Sequence, residues 1–170
     1  MSKIEEQYKW YALYTRSRAE KKLHTVLVGK GIESFLPLRK TLKQYSDRKK
    51  WVEEPLMRSY ILVHISEREY FDVLNTPGAV RYVSFEGKAA EIPEAHVVAL
   101  KNFIENKPGD ITVEIGKLAP GETMEVVRGP LKGAKGEIKE IRGSHRILLR
   151  FEALNLCVHT EVDLGDVQKV

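Results

Sequence analysis

The feature that most constrains the fold is a change of pattern near Lys107. Before it, apolar residues recur at strand spacing and at helix spacing in turn. The run KPGD then interrupts this pattern, and short strand-like segments follow between glycine-rich turns with no helical period. Such a change is typical of two small modules joined by a linker. The sequence predicts a first domain at 8–107, a linker at 108–118 and a second domain at 119–170.

The first module reads as strand, helix, strand, strand, helix, strand, with a trailing helix. A strand begins at Trp10, and the next helix is expected to be capped by Ser17 and closed by Gly31. Residues 60–65 are the most apolar strand candidate, as the centre of a sheet requires. The order predicts an α+β fold with one antiparallel sheet and helices on one face. The evenly spaced strands after residue 119 predict a small all-β, SH3-like barrel.

Composition limits the class of protein. Hydrophobic residues make up 42% of the 170 residues, which is enough for a core. The single cysteine, Cys157, excludes an intramolecular disulfide and suits a reducing compartment. The start of the chain, MSKIEEQYKW, has no apolar stretch of a signal peptide, and no apolar run approaches the roughly 20 residues that span a bilayer. We therefore expect a soluble, cytoplasmic protein with no membrane partner.

Residues typical of catalysis are scattered. The sequence contains no phosphate-binding loop, no nucleophile elbow and no dinucleotide fingerprint. Cys157 and the nearby His159 lie in a predicted strand, where both are most often structural. We predict a protein that is not an enzyme and has no cofactor and no metal. The histidines, which lack metal-ligand spacing, are His24, His64, His96, His145 and His159.

The positive charge is concentrated in the first module. The net charge is +4, but residues 9–51 contain twelve Lys and Arg against three acids. Residues 119–170 contain eight of each sign. The basic surface of the first module favours a polyanionic partner. The neutral second module favours a different kind of partner, so the two modules are expected to have separate roles. The alternative is that these Lys and Arg side chains are merely exposed to water and bind no partner.

Three stretches in this order resemble the NusG family. Residues 10–15 read WYALYT and are followed by FLPL at 35–38. Residues 55–63 read PLMRSYILV, with Met57-Arg58 where the family usually has Phe-Pro. Residues 127–136 read VRGPLKGAKG, which is similar to a KOW motif. The resemblance covers nearly all the chain from Trp10 onward, and the segment at 45–51 favours a specialised paralogue of the UpxY or RfaH kind.

The resemblance implies that the first domain docks on the clamp helices of the largest RNA polymerase subunit. Docking of this kind needs apolar groups on the sheet face that helices leave uncovered, because their desolvation drives association. The alternative is that these residues belong to an ordinary sheet core. Matched by motif position, the candidate docking residues are Tyr14, Pro37, Tyr60, Leu62 and Phe85.

The resemblance also implies contact with upstream DNA or with the non-template strand of the transcription bubble. Cations there neutralise phosphates and give salt-sensitive binding with little base readout. A solvated helix face is the alternative reading. The candidate DNA-binding residues are Arg16, Arg18, Lys21 and Lys22. A predicted basic hairpin can extend this path through Arg39, Lys40, Arg48, Lys49 and Lys50.

For the barrel, the resemblance implies a partner protein such as the termination factor Rho or a small-subunit ribosomal protein. Exposed leucines near the last long turn would indicate recognition, whereas buried ones would be structural. The glycines of the KOW-like stretch are expected to permit tight turns. The candidate partner-binding residues are Phe151, Leu154, Asn155 and Leu156.

The function that the sequence predicts is transcription elongation or antitermination by a monomeric factor that bridges polymerase, DNA and a recruited partner. Two other classes stay open: a ribosome-associated RNA-binding KOW protein, and a protein adaptor without nucleic-acid contact. General and operon-specific roles, and roles for or against termination, all fit the sequence.

Overall fold

The computed structural model describes residues 6–170. The chain divides into two compact units. The first holds the residues up to Pro37 together with Met57–Glu94, and the second holds Leu38–Leu56 together with Ala95–Val170. The predicted basic hairpin therefore groups with the C-terminal part of the chain.

Helices and strands are mixed up to the third helix, and only strands and short 3-10 turns follow it. In chain order the first part contains β1 Lys9–Thr15, α1 Glu20–Gly29, β2 Glu33–Phe35, β3 Leu38–Gln44, β4 Lys49–Pro55, β5 Tyr60–Ile65, α2 Tyr70–Leu74, β6 Ala79–Tyr82, β7 Ser84–Phe85, β8 Lys88–Ala89, β9 Glu91–Ile92 and α3 Glu94–Asn106. The second part contains β10 Thr112–Ile115, β11 Glu122–Val126, β12 Lys135–Ile141, β13 Ser144–Phe151, β14 Leu156–Glu161 and β15 Val167–Lys169.

The first unit is built on a sheet in the order β2-β5-β1-β6, with β9 also paired to β1. β1 and β5 are antiparallel, with Leu13 opposite Ile61. Because side chains alternate along a strand, these two residues share a face, and they pack there with Leu23 of α1 and Val73 of α2. Both helices thus cover the same face of the sheet. The predicted α+β arrangement is confirmed.

The start of α1 differs from the prediction. The helix begins at Glu20, and its cap position is Ala19, which makes no side-chain cap bond. Arg18 has a left-handed backbone with φ 62°, so the helical conformation cannot extend back to Ser17. The predicted serine cap is wrong because a turn intervenes. At the other end Gly31 has φ 78° and its N–H donates to the carbonyl of Val28, as predicted for a closing glycine.

The second unit contains a six-stranded antiparallel sheet in the order β10-β14-β13-β12-β11-β15, and β3 and β4 form a separate hairpin. The predicted all-β module is confirmed. Gly129 and Gly133 have φ of 83° and 95°, so they serve the turn between β11 and β12 as predicted. Gly136 differs: it lies within β12, where an added Cβ would come within 2.7 Å of the Leu148 carbonyl oxygen.

The segment predicted as a linker contains an ordered strand. β10 lies within residues 108–118 and pairs antiparallel with β14, from Thr112 opposite His159 to Ile115 opposite Leu156. The sheet of the second unit therefore begins before residue 119. The domain boundaries at 107 and 119 stay a prediction.

Candidate functional site

The sheet of the first unit has an aromatic face on the side opposite α1 and α2. Its members on β1 and β5 are the residues of even number, which alternate with the helix-facing core. We call this surface the aromatic face, and it consists of Trp10, Ala12, Tyr14, Tyr60, Leu62 and His64.

Two of the predicted docking residues form a pair on this face. Tyr14 and Tyr60 are opposite each other in the register of β1 and β5. Their rings meet edge to face with centroids 5.5 Å apart, and both side chains are only half-buried. The guanidinium of Arg81 lies 5.6 Å from the centre of the Tyr14 ring, within cation–π range. The pair offers a rigid apolar surface with polar hydroxyl groups.

The other three predicted docking residues are placed differently. Leu62 has no exposed surface, and Pro37 is also buried. Leu62 is central in the sheet, since β5 lies between β2 and β1. Phe85 is 67% exposed but lies in the small β7–β8 ribbon, outside the main sheet. The expectation that all five lie on an uncovered face of the sheet is therefore wrong for Leu62 and Pro37, which are buried, and for Phe85, which lies outside this sheet.

The turn before Tyr60 is held by a residue that sequence reasoning missed. Ser59 has φ 66°, and its N–H donates to the carboxylate of Glu20 at 2.9 Å. Its carbonyl accepts from the N–H of Thr15 at 2.8 Å. Glu20 is only 5% exposed although it is charged. No local pattern signals this contact, because Glu20 and Ser59 are 39 residues apart in the sequence.

All four predicted DNA-binding residues are exposed. Arg16 and Arg18 lie in the turn between β1 and α1, and Lys21 and Lys22 lie in the first helical turn. The N-terminus of a helix carries a partial positive charge, so it adds to the potential of these cations. The arrangement suits the binding of a polyanion.

The predicted partner-binding residues of the second unit are mostly buried. Phe151, Leu154 and Leu156 are 2%, 8% and 7% exposed. The ring of Phe151 lies 5.6 Å from that of His96 on α3. Of the two alternatives that the sequence left open, the structure has the buried, structural one for both leucines, with Leu154 in the short 3-10 turn at 152–154. Only Asn155 is exposed, in a left-handed conformation with φ 52°.

A buried polar network in the same unit was also missed. Arg146, on β13, donates from Nε to His159 Nδ1 at 2.7 Å and from Nη2 to Asp110 Oδ1 at 3.1 Å. Since Nδ1 accepts, neutral His159 carries its proton on Nε2, which lies 3.5 Å from Glu114. Burial lowers the pKa of His159, and the Arg146 charge lowers it further. The sequence shows only that Arg146 and His159 adjoin apolar runs, ILL at 147–149 and LCV at 156–158, and gives no sign that they contact each other.

Two features are missing from the described residues 6–170. Within them, no three His, Cys, Asp or Glu side chains are grouped so that they could hold a metal ion. The helices in this part of the chain lack the length and apolar character needed to cross a membrane.

Comparison with known families shows to which one the chain belongs. The family model described as "Transcription termination factor nusG" matches residues 8–101, more than half of the sequence. The chain belongs to the NusG family. No curated protein matched it significantly. The subclass, UpxY-like or RfaH-like, stays a prediction.

Comparison with solved structures gives two matches along nearly the whole chain. The structure "Domain interaction in Thermotoga maritima NusG" has a TM-score of 0.50 at 20% identity and covers 96% of this chain and 98% of its own. The "MjSpt4:Spt5 complex" in conformation B covers 95% and 96% at 15% identity, with a TM-score of 0.30. The first likeness supports an N-terminal sheet-plus-helix domain followed by a KOW-type all-β domain. The predicted fold class is thereby confirmed.

Proposed function

We propose that this NusG-family factor docks on the clamp helices of RNA polymerase through the Tyr14–Tyr60 pair. The observation that supports this is the position of the pair on the sheet face opposite the helices, half-exposed and edge to face. Tyrosines in such a position are frequent hot spots of protein interfaces. Docking there leads to elongation or antitermination activity in the cytoplasm, without chemistry of its own.

The factor further contacts the DNA of the transcription bubble and recruits a partner through its second unit. The four exposed cations around the start of α1 neutralise phosphates of upstream or non-template DNA. On the second unit, Asn155 is the exposed member of the proposed partner surface. Rho and a small-subunit ribosomal protein are the candidate partners. Tethering raises the local concentration of such a partner without tight intrinsic affinity.

The docking proposal predicts that Tyr60→Ala weakens binding to purified RNA polymerase by roughly thirty-fold, the effect of a hot spot worth about 2 kcal/mol. Polymerase titrations at fixed salt measure the affinity. Phe71→Ala is the matched control, because Phe71 is an equally aromatic but 66% exposed residue on α2. Undiminished binding of the Tyr60 variant, with a normal unfolding curve, would remove the aromatic pair from the interface.

The DNA proposal predicts that reversing the charges of Arg16, Arg18, Lys21 and Lys22 to Glu weakens binding to a bubble scaffold and flattens its salt dependence. Each lost single-strand phosphate contact lowers the slope of log K against log salt by about 0.7. A control reversal at Lys132 and Lys135, which are exposed in the second unit, changes net charge without touching this surface. Equal losses in both variants would mean a non-specific charge effect.

A further inference from the structure

The hairpin formed by β3 and β4, residues 38–55, presents an exposed tryptophan. Trp51 is 66% exposed, although tryptophan normally buries most of its large surface. It lies opposite Leu42, which is 46% exposed, in the antiparallel register of the two strands. The hairpin therefore carries a flat apolar platform that faces solvent.

This platform lies among cations. Residues 38–56 contain six Lys and Arg against three acids. By the alternation of the strands, Lys40 and Lys49 lie on the same face of the hairpin as Trp51. Lys43 lies on the other face, where it pairs with Glu54. Two cations thus lie on the Trp51 face together with one acid, Glu53, which is opposite Lys40 in the register.

A pocket adjoins the platform. Its volume is about 660 Å³, which is within the range of about 300–1,000 Å³ common for ligand sites. Trp51, Val52 and the Pro108–Gly109 turn supply apolar walls, and Lys40 and Glu53 supply the polar groups. A flat ring beside an apolar recess with a cation at its edge fits a planar ligand that carries negative charge.

We propose that this hairpin binds single-stranded DNA, with one base stacked on the Trp51 indole and neighbouring phosphates neutralised by Lys40 and Lys49. Stacking on aromatic side chains within a basic surface is the usual way in which proteins hold single strands without reading their sequence. The choice of DNA rests on the proposed function, which brings the factor to the displaced strand of the bubble.

Charge and shape favour single-stranded DNA at this platform over a protein partner or a DNA duplex. The centre of a protein interface is depleted of charged residues, whereas this platform has lysines beside it. A DNA duplex has its bases stacked on one another and offers only its phosphates. A single strand offers both phosphates and unpaired ring faces, so it alone uses the lysines and the indole together.

Intrinsic fluorescence provides a direct test with the full-length chain. It contains two tryptophans, and the other one, Trp10, is 4% exposed. Titration with a twelve-nucleotide oligothymidine should quench the Trp51 emission, because the stacked base contacts the indole. Trp51→Ala should lower the affinity about tenfold and abolish the quench, whereas Trp51→Phe should keep most of the affinity. Lys40→Gln with Lys49→Gln should lower the salt slope by about 1.4.

The possible results of this titration distinguish single-stranded DNA from other ligands of the hairpin. Absence of quenching, or equal affinity of the Trp51→Ala and unaltered chains, would overturn the proposal. So would stronger binding to a duplex of the same length, or to an oligouridine RNA, which would assign the hairpin to another nucleic acid. The titration needs no polymerase. Loss of oligonucleotide binding with intact polymerase binding would therefore refute this inference alone, and the reverse would refute the docking proposal alone.

Discussion

Replacing Phe151 with alanine is expected to lower the free energy of unfolding of the second unit by about 3–5 kcal/mol. The ring is 2% exposed and contacts His96 of α3. Its removal loses the transfer free energy of a whole aromatic side chain and leaves a cavity that the strands around it can only partly close. Urea unfolding measures the loss, and hydrogen exchange of the β13 and β14 amides assigns it to this unit.

Asn155→Gly is the matched control for Phe151. Asn155 is exposed with φ 52°, a conformation that glycine adopts without strain. The substitution should change stability by about 0.5 kcal/mol or less, as is usual for a surface position, while it removes the exposed side chain of the proposed partner surface. Near-normal stability of the Phe151 variant would show that the ring is not a core residue, and would restore it as a candidate contact.

Replacing Asp110 with alanine is expected to cost the second unit about 3 kcal/mol, the lower end of what breaking a buried ion pair costs, since this carboxylate is 39% exposed. Its partner Arg146 has a side chain only 10% exposed and would keep its charge without a counter-ion. Asp110 also accepts a hydrogen bond from the N–H of Glu161 at 2.8 Å. Thermal unfolding of both chains at pH 7.5 measures the difference.

The same group predicts a pH dependence. Desolvation works to raise the pKa of Asp110, but the Glu161 N–H and Arg146 outweigh it and hold the pKa below its ordinary value. A carboxyl with a lowered folded-state pKa adds stability above its unfolded pKa of about 3.9, and this is lost as pH falls through the folded value. The difference between the two chains should therefore shrink below about pH 4. A constant difference down to pH 2 would contradict the ion-pair explanation.

A second substitution separates charge from packing. Arg146→Met in the Asp110→Ala background removes the uncompensated cation and keeps a long apolar side chain. Replacing both members of a buried pair is often far less costly than removing one. The double variant should therefore be more stable than Asp110→Ala alone, by a margin that a double-mutant cycle measures. A further loss would mean that Arg146 stabilises the unit mainly through His159.

Much of the fold follows from local sequence patterns. The alternation in β1 and β5 places Leu13 and Ile61 on one face and Tyr14 and Tyr60 on the other, and the structure has both arrangements. The glycine that ends α1 and the short strands of the second unit were predictable for the same reason, since each depends on neighbours within a few residues.

Other features depend on residues that are distant in sequence. The burial of Leu154 and Leu156 depends on how the turn at 152–154 packs, which no local pattern records. β10 looked like a linker because its pairing with β14 is made by backbone groups, which any residue supplies. The Arg146 network likewise joins Asp110 to strands more than thirty residues away.

Family motifs identified which residues to consider, but not whether they are accessible. Leu62 and Tyr60 belong to one motif, yet one has no exposed surface and the other is half-exposed. Both lie on the same face of β5, so the alternation of side chains cannot distinguish them. Accessibility is set by what packs over each residue, which the sequence of a single strand does not specify.

The hydrogen bond between Glu20 and the Ser59 N–H holds the turn before Tyr60, where the sequence has Arg58 and Ser59 and no proline. A proline stiffens a turn through its own ring. Here a carboxylate from a helix start, 39 residues earlier, fixes the backbone from outside. The folded chain thus restrains the backbone beside Tyr60 through its own hydrogen bonds, and under the docking proposal this lowers the entropy lost on association.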